Sequence, residues 1–245
     1  MFPIRDHNPS GRTPYVTYVL IAVNIAVFLA YWLTLPDANQ VNLFLYTWGL
    51  VPERLIAGQQ IETLVTSMFL HGGWMHLAGN MLFLWIFGDN LEDEMGHVRF
   101  ALFYLASGLA AAALQVAADP ASPVPMVGAS GAIAGVLGGY LLLYPKARVD
   151  VLVIFIVFFR VFAIPAWVVL GLWFGIQLFN SVSSTADGVA YLAHVGGFVG
   201  GVILTLPAFL KRGGKAFWAR TKGQPQNPAV QYKYAKSSIP SVPRR

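Results

Sequence analysis

Val127–Gly139 reads VGASGAIAGVLGG. One serine, Ser130, stands among small residues where an apolar run begins. Ala193-His194-Val195-Gly196-Gly197, 64 residues further on, repeats the arrangement with a histidine in the serine's place. Gly128, Gly131, Gly135 and Gly139 recur three or four apart, so a helix here offers one smooth face on which a neighbouring backbone can lie. Ala193, Gly197 and Gly201 give the second stretch a matching face, with Gly196 and Gly200 as a further pair. Two apolar helices able to pack closely, each with one reactive polar group near the same end, predict an all-α membrane protein with a polar site inside it.

Composition agrees. Of the 245 residues 56% are hydrophobic and 11% charged, against roughly 25% charged in a soluble domain. The mean hydropathy is +0.60. There is no cysteine, which excludes disulfides, thiol catalysis and cysteine-ligated metals. The first apolar run is too long for a signal peptide and reads as a retained span.

Six spans are expected, at about 15–35, 74–92, 100–116, 126–144, 166–179 and 189–210, forming a membrane domain over 14–210. Residues 1–13 form a short cytoplasmic lead, and 211–245 a basic, flexible tail. Asp37–Glu62 holds Phe44, Tyr46, Trp48 and Leu50, too apolar for a bare linker, and predicts one or two short helices at the outer interface. Gly88–His97 is a polar run in which the second span ends, near Glu92, and an acidic loop follows; Val151–Phe159 reads as a buried or interfacial connection too short to span as a helix. Arg5, Arg12, Lys146, Arg148, Lys211, Arg212 and Lys215 fall on one side of such a six-span chain, which the positive-inside rule makes cytoplasmic. The expected location is a bacterial inner membrane, with both termini cytoplasmic and the site open to the outer side.

Depth arithmetic brings the polar groups together. Ser130 lies 14 residues before Tyr144, roughly 21 Å of helix, and His194 lies 16 before Leu210, roughly 24 Å. His76 is 16 residues before Glu92, so all three sit at one level below the outer face of a core about 30 Å thick. Asn80 shares the His76 face, one turn on. A lone serine in a membrane helix most often bonds a nearby carbonyl, but three matched polar groups at a costly depth argue for chemistry.

That chemistry is nucleophilic. A serine hydroxyl needs a base to take its proton, and histidine is the usual one. No acid lies in the apolar body of either helix, so the minimal constellation is a dyad: Ser130 as nucleophile, His194 as general base and then acid. His76, Asn80 and the Ser130 backbone N–H, at a helix start with unpaired donors, suit an oxyanion. The expected reaction is peptide hydrolysis through an acyl-enzyme. The loops Asp37–Glu62 and Ala117–Pro125 are candidates for the rim, and the fifth span for a movable wall.

These residues resemble the rhomboid intramembrane serine proteases. The resemblance rests on Gly128-Ala129-Ser130-Gly131, on Ala193-His194 followed by Gly197 and Gly201, and on His71, His76 and Asn80. Gly79-Asn80-Met81, Phe87-Gly88, Leu91-Glu92, Gly96 and Arg99-Phe100 extend it, so that it covers about 62–201. It implies a bacterial-type six-helix core that cleaves other membrane proteins in or near their transmembrane helices. Ser130 matches the family nucleophile, His194 the base, and His76 and Asn80 the oxyanion pair; His71 is an accessory candidate. Gly128, Gly131, Gly135, Gly197 and Gly201 are packing residues. Two departures stand out. Asp37–Glu62 lacks the Trp-Arg pair of many bacterial members, and Ala134 stands where some members stack an aromatic on the histidine. The expected partners are transmembrane substrates and lipid, with no nucleic acid, metal or cofactor. The alternatives are a non-catalytic rhomboid-like binder of client helices and, behind it, a small-solute transporter.

Overall fold

The computed structural model describes residues 2–155, 158–183 and 189–224. After a strand β1 (Phe2–Asp6), helix α1 (Tyr15–Thr34) leads to three short helices, α2 (Ala38–Trp48), α3 (Pro52–Ile56) and α4 (Thr63–Thr66), the last running into a tight turn at Ser67–Phe69. Two 22-residue helices follow, α5 (Trp74–Met95) and α6 (His97–Ala118), then α7 (Ser130–Leu143). A hairpin of β2 (Arg148–Phe155) and β3 (Phe158–Pro165) precedes α8 (Ala166–Val182), α9 (Tyr191–Lys211) and α10 (Lys215–Thr221).

The helix α7 is the axis of the bundle, with 11 of its 14 residues buried. It packs on α9, α6 and α5. The contact with α9 is glycine on glycine: methyl groups added to Gly197 and Gly201 would fall on the backbone of Gly131 and Gly135. A methyl on Gly135 would collide with Ser107 of α6. Large exposed apolar side chains run along the outer helices, including Val19 and Val23 on α1, Leu102 and Leu109 on α6, and Val199 and Ile203 on α9. Helices α1, α6 and α9 are long and apolar enough to cross a membrane, and α7 and α8 are shorter apolar helices.

The acidic end of α5 is structural. Glu92, 1% exposed, accepts hydrogen bonds from the Val16 and Thr17 N–H groups and the Thr17 hydroxyl, each at 2.8 Å. It therefore fills donors that the first turn of α1 leaves unpaired. Glu94 pairs with Arg212 at the end of α9, and Asp93 accepts from Gly11 N–H at 2.9 Å. The second span therefore runs on to Met95 rather than ending near Glu92, and in place of the expected loop Gly96 alone, at φ +78°, separates α5 from α6.

Three further expectations need correction. The fold is mostly helical but not all-α: β1, β2 and β3 form an antiparallel sheet in that order. Arg148–Phe155, RVDVLVIF, alternates with period two; Val149 and Val151 are buried, and Asp150 between them meets Arg5 at 2.6 Å and His7 at 2.8 Å. Burial pushes the Asp150 carboxyl up, but those two partners outweigh it and hold it below its ordinary range. The fourth helix begins at Ser130, not 126, because Met126 pairs with Leu50 across two loops (N···O 2.8 and 3.0 Å). The basic tail is ordered at its start: α10 buries Phe217, and Trp218 Nε1 donates to Leu142 O at 3.0 Å. The remainder of the tail expected to be flexible, 225–245, and residues 184–188 of the polar loop before α9 lie outside the described residues. The short helices expected in Asp37–Glu62 are α2 and α3, with Asp37 capping α2 through Gln40 N–H at 2.9 Å.

Candidate active site

Ser130 is the first residue of α7, so its N–H belongs to the turn that has no intrahelical acceptor. Its Oγ lies 2.8 Å from Nε2 of His194, one turn into α9. The glycine-to-glycine packing below them makes this reach possible. Gln115 Oε1 accepts from Ala193 N–H at 3.2 Å and fixes the start of α9 to α6.

On its far side His194 Nδ1 lies 2.7 Å from Gln177 Oε1, on α8. An amide oxygen can only accept, so Nδ1 carries the hydrogen and Nε2 holds the lone pair. The Ser130 hydroxyl therefore donates to Nε2, the direction that base catalysis requires. Trp173, one turn before Gln177, tilts its ring against the imidazole with centroids 5.8 Å apart, and Tyr191 stands edge-on at 6.4 Å. Aromatic support absent at Ala134 is thus provided from α8 and α9.

Gly128 lies ahead of α7, not on its packing face as expected, and has φ +128°. Its N–H donates to Ser67 O at 2.9 Å. A β-carbon there would sit 2.7 Å from His76 Nε2 and 3.4 Å from Ser130 Oγ, so both side chains face this glycine. Gly72 N–H approaches His76 Nδ1 at 3.4 Å from the other side. Asn80, one turn along α5, is buried, and its Nδ2 makes no hydrogen bond among the described residues. His71 lies one layer back: it is fully buried, edge-on to the His76 ring at 5.1 Å, with its backbone bracketed by the Tyr31 hydroxyl. Among the described residues no cluster of three metal-ligating side chains occurs.

The rhomboid domain matches residues 58–211, which contain every one of these side chains except Tyr31. The chain belongs to the rhomboid family. It is 32% identical over 203 residues to Rhomboid protease GluP of Bacillus subtilis (strain 168), covering 82% of this chain and 36% of that protein. It is 32% identical over 199 residues to Rhomboid protein 1, mitochondrial, of Saccharomyces cerevisiae, covering 77% of this chain and 51% of that protein. RHOMBOID-like protein 5 of Arabidopsis thaliana is 37% identical over 93 residues, 38% of this chain and 30% of that protein. The chain thus spans about a third to a half of the length of these curated relatives. Rhomboid membership and the apolar helices together mark an integral membrane protein with protease-named homologues.

Gln177 is the site residue that sequence reasoning missed. It is the sole polar side chain between Ala166 and Phe179, and it falls four residues after Trp173, on one helical face. The usual orienter of such a histidine is an acid, and a lone amide in an apolar helix does not stand out as one.

Proposed function

We propose that this rhomboid-family chain is an intramembrane serine endopeptidase. The observation that carries the proposal is the chain of contacts from Gln177 through His194 to Ser130, at 2.7 and 2.8 Å. His194 Nε2 takes the Ser130 proton as Oγ attacks the scissile carbonyl carbon. The negative charge then forms on the carbonyl oxygen, where Ser130 N–H, the His76 ring and the Asn80 amide are the donors. The tetrahedral species collapses as imidazolium Nε2–H protonates the leaving amine, giving an acyl-enzyme. Water, deprotonated in turn by His194, releases the acyl group and restores the dyad.

In this reading α1, α5, α6, α7, α8 and α9 are the six spans. At 1.5 Å per residue α7 is about 21 Å long, shorter than a hydrocarbon core of about 30 Å. A helix that starts below the outer surface places a polar site where water can reach it from one side. The Arg5–Asp150, Arg12–Asp93 and Arg212–Glu94 pairs gather charge at the opposite end, the one assigned to the cytoplasm in this reading. The substrate class is transmembrane proteins cut in or near their helices. A non-catalytic client binder is the second reading, and the ordered serine-to-imidazole bond argues against it, since binding alone needs no such alignment.

Purified protein offered a transmembrane substrate with helix-destabilising residues is expected to cleave it, and Ser130→Ala to abolish cleavage. Undiminished cleavage by that variant would remove Ser130 from the mechanism.

A further inference from the structure

Helix α8 is held to the bundle along one narrow stripe. Its buried residues are Ala166, Leu170 and Gln177, and Trp167, Leu172, Ile176 and Phe179 face outward. Its first turn is anchored, with Ala166 N–H donating to Ala147 O at 2.8 Å and Trp167 N–H to Pro145 O at 2.9 Å. Further along, the face toward α9 consists of Trp173, Phe174 and Gln177. Phe174 stacks on Phe198 at 4.3 Å, and Trp173 and Gln177 meet His194. Gln177 is 8% exposed, and an amide is costly to bury on an apolar helix unless a partner repays its lost hydration.

We infer that Gln177 is the positioning residue of the dyad, and that it makes the competence of His194 depend on α8 lying closed against α9. The inference rests on the hydrolase reading above. The amide oxygen fixes the imidazole hydrogen on Nδ1 and so leaves Nε2 to accept from Ser130. An amide does this without placing a full negative charge in an apolar setting, where an ionised carboxylate would be expensive. During attack the same carbonyl dipole points at the hydrogen of the forming imidazolium. Swinging the far end of α8 away about its anchored first turn removes this acceptor. Ser130 then faces an imidazole with no fixed tautomer or plane.

The test uses the full chain in detergent with a fluorogenic transmembrane-peptide substrate. Three proteins, wild type, Gln177→Met and Gln177→Glu, are compared across pH, with thermal unfolding measured for each. Gln177→Met keeps the side-chain length and removes the acceptor, so kcat is expected to fall about tenfold or more with KM nearly unchanged. Gln177→Glu restores an acceptor and favours the imidazolium, so it is expected to regain part of kcat and move the acid limb of the pH–rate profile up by about one unit. Wild-type kcat in Gln177→Met with an unmoved limb in Gln177→Glu overturns the inference while leaving the dyad intact. Activity losses that follow lowered unfolding temperatures, with no shift of the limb, show a merely structural glutamine and overturn it equally. A wild type that neither cleaves nor differs from Ser130→Ala overturns the hydrolase reading, and this inference falls with it.

Discussion

No β-carbon fits between Gly197 on α9 and Gly131 on α7, because a methyl on Gly197 would fall on the Gly131 carbonyl. These glycines lie one residue after Ser130 and three after His194, so the spacing of the two backbones sets the reach of the imidazole to the hydroxyl. Gly197→Ala must push α9 away or strain both helices. The expected cost is about 1–3 kcal/mol of stability. Labelling of Ser130 by a serine-reactive probe should fall further than the loss of folded protein explains. Thermal unfolding and probe labelling on the same preparation check this.

Phe174 stacks on Phe198 and carries the closest ring contact of α8 with α9. Phe174→Ala should loosen α8 and lower kcat. If it acts through Gln177, it should add little in a Gln177→Met background. A double-mutant cycle on kcat reads this directly, and full additivity would separate the two positions.

Glu92 joins the far end of α5 to the first turn of α1. Glu92→Gln removes the charge from three hydrogen bonds and from the contact of His97 Nδ1 with Oε1, at 2.5 Å. The expected loss is about 1–3 kcal/mol, seen as a lower unfolding temperature in detergent. The acid limb of the pH–rate profile should not move, because Glu92 lies some four turns along α5 from His76.

Asp6 on β1 makes the docking of the N-terminal strand sensitive to pH. Its carboxyl is pushed up to about 7 by burial, with Asp89 of α5 adding to the effect and the Tyr140 hydroxyl of α7, 2.6 Å away, opposing it. The folded chain keeps a proton that the unfolded chain releases near pH 4. Stability therefore falls as pH rises from about 4 to about 7 and levels off above that. Asp6→Asn should lose most of this slope. Unfolding temperatures between pH 4.5 and 8 for both proteins are the check. A slope retained in the variant would assign the titration elsewhere, with Asp89, which lines the same cavity of about 150 Å³, the next candidate.

What was legible in the chain followed from helical periodicity and glycine spacing. Gly131, Gly135, Gly197 and Gly201 predict a close crossing, and the structure has it. Ser130 and His194, matched by depth, meet at 2.8 Å. The rest depended on partners remote in sequence. Val149, Val151 and Val153 alternate visibly, but β2 pairs with β1 across more than 140 residues, and nothing local announces that pairing. Met126–Ala129 is apolar enough to look helical, yet Leu50 and Ser67 engage its backbone before the helix starts. The acids of α5 resemble a loop until Thr17 and Arg212 are seen to receive them. Gln177 is inconspicuous in the sequence for a chemical reason: an imidazole needs an acceptor on Nδ1, and in an apolar helix a neutral amide, rather than the usual carboxylate, meets that need at lower desolvation cost.

The central claim is that His194 activates Ser130. Its most direct measurement is labelling of the purified protein with a fluorophosphonate, followed by mass spectrometry of the modified peptide, in wild type, Ser130→Ala, His194→Ala and Gln177→Met. A single adduct on Ser130 is expected in wild type, none in Ser130→Ala or His194→Ala, and slowed labelling in Gln177→Met. Labelling at wild-type rate in His194→Ala, or no adduct on Ser130 in folded wild-type protein, would contradict it.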